Sequence, residues 1–301
     1  MSYFDCRAPE CSASTGSVDL IVRPSRKDLG EFSVARALPS PERKMVGPFI
    51  FFDHMGPADF APGEGIQVRP HPHIGIAAIT YLFDGLVLHR DSLGFTQPIE
   101  SAAVNLMVAG SGIVHSERAG DDLNERSHLH GIQSWMALPD GELERDPEFV
   151  HYPATQIPEF AVDGARIRLI IGRLNGQVSP VKSFVDTLYL EALLAVGGRL
   201  SVPAEVPELA AYLVSGEAVL DGHVLTEGTM AIAHPGATLH LEARTDCRLM
   251  VLGGAPVGDR EIWWNFVAPT TARIEQAKRD WRDGRFALID GDDEFIPLPE
   301  D

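Results

Sequence analysis

Long apolar runs, paired cysteines and positive charge are what this chain of 301 residues has little of. No stretch reaches the roughly eighteen consecutive apolar residues of a membrane-crossing helix, and the opening Met1-Ser-Tyr-Phe-Asp-Cys-Arg7 has no basic segment followed by an apolar core. A cytoplasmic protein with no membrane attachment is the expectation. The three cysteines, Cys6, Cys11 and Cys247, are odd in number and lack C-x-x-C spacing, which argues against a disulfide framework or a zinc knuckle and leaves small packed or idle thiols. Lys plus Arg total 25 against 43 Asp plus Glu, a net charge of −18, so the chain repels phosphate backbones and direct nucleic-acid binding is not expected. Gly110-Ser-Gly112 lacks the third glycine and the helix of a dinucleotide fingerprint, and neither G-x-x-x-x-G-K-[ST] nor H-E-x-x-H occurs.

What is present reads as a β protein. With 45% apolar and 23% charged residues, the composition is that of a soluble globular chain long enough for two domains. The 22 prolines and 28 glycines fall between short runs rich in β-formers, such as Ile76–Phe83, Val104–Val108, Ile132–Leu138 and Ile167–Ile171. One helix is predicted late, with Thr271 as N-cap, Ile274, Ala277 and Trp281 as the apolar stripe and Gly284 as terminator. An acidic tail, Asp290 to Asp301, follows, and a weaker helical or irregular segment is expected within 173 to 186.

The chemistry concentrates in two short pairs, His71-Pro72-His73 and His115-Ser116-Glu117. In a strand, residues i and i+2 point to the same face, so two strands of this kind facing each other aim three imidazoles and one carboxylate into one cavity. Imidazole suits Fe, Ni, Cu and Zn, and the carboxylate hardens the set toward a redox-capable divalent ion. Taken singly, a histidine in a strand is usually a hydrogen-bonded structural residue; two pairs at ligand spacing, the second after a Gly-x-Gly turn, favour a metal site.

A faint internal repeat says how many such sites to expect. Tyr81-Leu82-Phe-Asp-Gly85 recurs as Tyr212-Leu213-Val-Ser-Gly216, an offset of 131 residues that also places Pro72 on Pro203. In the second copy Val202 and Ala204 stand where His71 and His73 stand, and alignment of Gly112 with Gly236 puts Leu239 and Leu241 in place of His115 and Glu117. One metal in the first half and none in the second is the prediction.

Arg69-Pro-His71-Pro-His73-Ile-Gly75, Tyr81-Leu-Phe-Asp-Gly85 and Ala109-Gly-Ser-Gly-Ile-Val-His115-Ser-Glu117-Arg118 closely resemble the signatures of the pirin family. Phe51-Phe-Asp53-His54-Met-Gly-Pro57, Gly131–Pro139 and Trp263-Trp-Asn-Phe266 extend the resemblance over nearly the whole chain. It implies an all-β bicupin, two tandem cupin (jelly-roll) β-barrels with a C-terminal helix. The domains expected are residues 18–160 with the metal, 161–268 without one, and 269–301 as helix and tail. The family's metal set falls on His71, His73, His115 and Glu117. A typical cupin has its glutamate shortly after the H-x-H pair, where this chain reads Ile74-Gly-Ile-Ala77-Ala78, so the carboxylate is Glu117.

The resemblance implies flavonol 2,3-dioxygenase chemistry on quercetin or a related small aromatic substrate, with Fe(II) as the expected ion and Ni, Cu, Co, Mn or Zn as alternatives. Glu117 is the expected catalytic residue, accepting the proton of the flavonol 3-hydroxyl. The rival reading is a metal-bearing regulator of transcription or of a metabolic enzyme, redox-sensitive and acting on a protein partner. A third, a cupin isomerase or lyase for a small polar molecule, rests on Arg69, Arg90 and Arg118 near the motifs. Three other groups are read as structural or solvated: His128-Leu-His130 at a strand start, Asp53-His54 in a turn, and His89-Arg90-Asp91-Ser92 as a charged loop at a barrel mouth.

Overall fold

The computed structural model describes residues 16–28 and 32–300; Cys6, Cys11 and the opening segment lie outside them. Strands dominate, and the α-helix among the described residues is Thr271–Arg282. Two compact units form. One takes in residues up to Arg26, Ala35–His54 and Thr155–Pro256; the other takes in Lys27–Val34, Met55–Ala154 and Val257–Asp301. The units therefore interleave along the chain, whereas a division at 160 and 268 has consecutive blocks. The twelve-residue strand Phe49–Phe60 contributes 49–54 to one and 55–60 to the other.

In the unit carrying the histidine pairs, a four-stranded antiparallel sheet runs in the order Gln67–His73, Ile113–Arg118, Leu86–Asp91, Thr96–Glu100. A second sheet, of seven strands, includes Glu148–Tyr152, Val104–Val108, Ile76–Asp84 and Ser127–Ala137 in that order. Leu82 and Leu129 of the second sheet meet Val87 and Ile99 of the first in one buried apolar cluster, together with Met55 and Phe60. At roughly 25 cal/mol per Å² of apolar surface removed from water, such clusters are the main force holding two sheets face to face. The segment after Val257 belongs here because its apolar residues are buried here: Phe266, Ala268, Ile274, Ala277, Trp281 and Ile289 cluster with Ile74 and Val114.

The other unit repeats the plan. Its seven-stranded sheet runs Val18–Val22, Met230–Ala233, Glu208–Ser215, Cys247–Gly254, Thr187–Leu194, Ala165–Ile171, Glu159–Val162, and its four-stranded sheet runs Arg199–Val202, Leu239–Ala243, Glu217–Leu220, His223–Thr226. Each unit thus has the two-sheet plan of a cupin, and the chain is the all-β bicupin with a C-terminal helix that its sequence implied. The strand pairing supports the repeat residue by residue: His71 is the register partner of His115, and Val202 is the register partner of Leu239. Val202, Leu239 and Leu241 are buried in an apolar cluster and carry no ligand atom.

Two local expectations shift. The helix N-cap is Thr270, one residue earlier than Thr271; Thr270 has the extended backbone, and its hydroxyl accepts from the Arg273 N–H. With two adjacent threonines, sequence does not distinguish them. Within 173 to 186 there is a small hairpin, Arg173–Leu174 paired with Gln177–Val178, and the remainder is irregular.

Candidate metal centre

The H-P-H pair occupies Gln67–His73, the edge strand of its sheet. That place explains the prolines, because a residue without an N–H is tolerated where one side of the strand has no ladder to complete. Strand alternation puts His71 and His73 on one face, and His115 arrives beside them from the adjacent strand. A register irregularity separates His115, opposite His71, from Glu117, opposite Val68. Such bulges re-aim a side chain. The turns at both ends need glycine: a Cβ on Gly75 (φ +69°) would lie 2.0 Å from the Val267 carbonyl oxygen, and one on Gly110 (φ +51°) would lie 2.2 Å from that of Arg145.

The three imidazoles converge. Ring centroids are 4.4 Å apart for His71 and His115, and 5.0 Å for His73 with each of the other two. One nitrogen from each ring lies within 4.8 Å of the others, and His73 Nε2 is 3.1 Å from His115 Nε2. All three are buried. Burial, opposed by the Arg69 carbonyl and reinforced by neighbouring His89, lowers the His71 pKa to about 4. Burial also holds His73 and His115 well below the ordinary imidazole range, and crowding by the other histidines adds to the effect. The rings are therefore neutral at pH 7, the form that offers a lone pair.

This donor set fits a divalent transition metal. Two ligand atoms at right angles, each about 2.0–2.2 Å from one ion, stand roughly 3 Å apart, which matches the separation of the His73 and His115 nitrogens. His71 Nδ1–H donates to the Arg69 carbonyl at 2.8 Å, which leaves its Nε2 lone pair for an ion. The His73 and Trp135 rings lie nearly perpendicular with centroids 5.0 Å apart.

Glu117 is buried on the same strand as His115, and burial raises its pKa against the opposing pull of His89, Thr80 and Gln133. Its Oε1 faces the Thr80 hydroxyl at 3.3 Å and the Gln133 side-chain nitrogen at 3.5 Å, both from the facing sheet. The Thr80 hydroxyl donates to Gln133 Oε1 at 2.7 Å. The mutually close set comprises the three histidines and does not include Glu117.

The chain can now be placed among known proteins. Residues 31–136 match the Pirin family model, and residues 189–287 match the model for the Pirin C-terminal cupin domain. A pirin-like protein of Caulobacter vibrioides is 46% identical over 94% of this chain and 100% of its own length. The chain belongs to the pirin family. A crystal structure of quercetin 2,3-dioxygenase from Acinetobacter baumannii superposes with a TM-score of 0.87 at 32% identity, covering 93% of this chain and 95% of that one. A second quercetin 2,3-dioxygenase structure from the same organism gives 0.85 at 26% identity, over 92% and 100%.

Within this pirin fold, several residues lie elsewhere than expected. His89 and Asp91 are not in a solvated loop: they sit on the strand Leu86–Asp91, are buried, and adjoin the histidine cluster. Their i, i+2 spacing was the available signal, masked by the charge of Arg90 between them. Asp53 and His54 lie on the Phe49–Phe60 strand in the other unit, where Asp53 takes a bidentate ion pair from Arg36 and His54 meets the Tyr212 hydroxyl at 3.0 Å. His128 and His130 do stand at the start of a strand, Ser127–Ala137, as expected, where His128 reaches Asp59 at the surface and His130 packs on Phe83. Arg90 and Arg118 point to the C-terminal segment, bonding the Asp290 carbonyl, Asp292 and Glu294, and Arg69 is exposed, which removes the basic lining that a lyase reading needs. Thr80 and Gln133 were missed because an isolated polar residue in a strand carries no spacing signal.

Proposed function

We propose that this pirin is a metal-dependent dioxygenase that opens the oxygen heterocycle of a flavonol, quercetin or a relative, with His71, His73 and His115 holding the ion and Glu117 completing the set. The observation that carries the reading is the convergence of three buried, neutral imidazoles beside a buried carboxylate. The likeness at 32% identity to a protein named quercetin 2,3-dioxygenase supports the substrate class. A bound Fe(II), or another divalent ion of the series, supplies Lewis acidity and a redox-capable centre for dioxygen.

The chain's own residues do the remaining work. The three imidazoles, each 6% exposed or less, hold the ion away from bulk water. Glu117 accepts the proton of the flavonol 3-hydroxyl, converting the ring system to its electron-rich anion. The Gln133 amide, itself held by the Thr80 hydroxyl, faces Oε1 and orients the carboxylate. The Trp135 ring flanks His73, its plane nearly perpendicular to the imidazole.

The test is anaerobic purification, metal quantification, then quercetin and dioxygen added to Fe(II)-, Ni(II)- and Cu(II)-loaded protein while flavonol absorbance and carbon monoxide are followed. Turnover that disappears in His115→Ala supports the reading. One ion per chain with no turnover in any metal form overturns it and favours a regulator acting through a protein partner.

A further inference from the structure

His115 has a nitrogen on each side of its ring, and the structure gives each one a different neighbour. Nε2 faces His73, and Nδ1 lies 3.4 Å from Nδ1 of His89. On the far side of the His89 ring, Nε2 lies 2.9 Å from Asp91 Oδ2. The other oxygen, Oδ1, accepts from the backbone N–H groups of Leu93 at 2.9 Å and Phe95 at 3.1 Å. Asp91 is 1% exposed and His89 is 3% exposed. Phe149 stacks on the His89 ring at 4.3 Å with planes 12° apart, and Phe95 packs on Phe149 at 5.1 Å.

These contacts have one consistent hydrogen assignment for neutral rings. A carboxylate only accepts, so His89 Nε2–H donates to Asp91. The remaining His89 nitrogen, Nδ1, then carries a lone pair and accepts from His115 Nδ1–H. With its hydrogen on Nδ1, His115 turns a lone pair at Nε2 toward His73, on the side where an ion would sit.

We propose that His89, oriented by Asp91 and clamped by Phe149, is a positioning residue that fixes the tautomer of His115 and so prepares it as a metal ligand before any ion arrives. The inference rests on the reading of His71, His73 and His115 as ligands and adds what makes one of them competent. Hydrogen-bond partners of this kind orient imidazole ligands and raise their basicity, and losing one weakens metal affinity by about 10–100-fold.

The experiment uses the full chain, stripped of metal and labelled with ¹⁵N-histidine, and reads by long-range ¹H–¹⁵N correlation which ring nitrogens carry hydrogen. Zinc(II), a diamagnetic probe, is then titrated against a competing chelator. Expected results are hydrogen on Nδ1 of His115 and on Nε2 of His89 in the metal-free wild type, zinc binding weakened about 10–100-fold in His89→Phe, and affinity restored most of the way in His89→Gln, whose amide can accept from His115 and donate to Asp91. The wild-type tautomer needs no variant to fold. Hydrogen on Nε2 of metal-free His115, or His89→Phe binding zinc like the wild type, overturns the relay while leaving the ligand set standing. A wild type with the expected tautomer that takes up no zinc overturns the ligand reading, and with it the purpose assigned to the relay.

Discussion

His71 and His115 are direct register partners across neighbouring strands, with ring centroids 4.4 Å apart. Pairing of that kind belongs to the backbone ladder and not to a loop, so the site is as rigid as the sheet. The loss of either ring should therefore remove the ion without loosening the barrel.

His71→Ala and His115→Ala are each expected to reduce bound metal from one ion per chain to none, with strand content unchanged by circular dichroism. Retention of a full equivalent of metal in either variant would remove that histidine from the set.

Acid should destabilise the metal-free protein. His71 has a folded pKa of about 4 against 6.5 when unfolded, so between those values the unfolded chain binds more protons than the folded one. Stability is fully present above pH 6.5 and falls as pH is lowered toward 4, by on the order of 3 kcal/mol for His71 alone. His73 and His115 shift in the same direction and add to the loss. Glu117, whose pKa is raised, acts in the opposite sense and loses its contribution as pH rises through its window. Denaturant midpoints of metal-free protein across pH 4 to 7 measure the sum; a flat profile would contradict burial of the neutral rings.

Thr80→Val removes the hydroxyl that lies between Gln133 and Glu117 while keeping the side chain's shape. Turnover is expected to fall about tenfold, and metal stoichiometry should not change. Thr80→Ser, which keeps the hydroxyl, should stay near wild type. Equal rates for Val and Ser would show that the hydroxyl does not hold Glu117.

Two substitutions in contact with the C-terminal segment should differ sharply. Trp281 is buried, packs edge-on against Phe286 and donates from Nε1 to the Ile296 carbonyl, so Trp281→Ala is expected to cost about 3–5 kcal/mol. Arg118 joins Asp292 and Glu294 in a partly solvated ion-pair cluster, so Arg118→Ala is expected to cost about 1 kcal/mol or less, with the difference shrinking as salt is added. Urea unfolding at low and high ionic strength separates the two.

The parts of this architecture that were legible in the sequence follow short-range rules. Alternation put His71 beside His73, the 131-residue offset matched Val202 to His71, alignment of Gly112 with Gly236 matched Leu239 to His115, and the Ile274, Ala277, Trp281 stripe marked the helix. What stayed hidden depends on which strands come together. His89 and Asp91 looked solvated because Arg90 stands between them, although Arg90 points to the C-terminal segment and its neighbours point inward. Thr80 and Gln133 gain meaning only through their pairing with each other across strands and with Glu117 across sheets. The interleaving of the units follows from where the apolar side chains of 257–289 find a core, which no local pattern records.

That interleaving sets an order of events on the ribosome. The unit without the histidine cluster has all of its residues once Pro256 has been made, but the unit with the cluster still lacks Phe266, Ile274 and Trp281, which cover Ile74 next to His73 and Val114 next to His115. The half encoded mostly first is the last to be completed, so its barrel closes, and its histidines become ready for an ion, only after Phe266, Ile274 and Trp281 have left the ribosome.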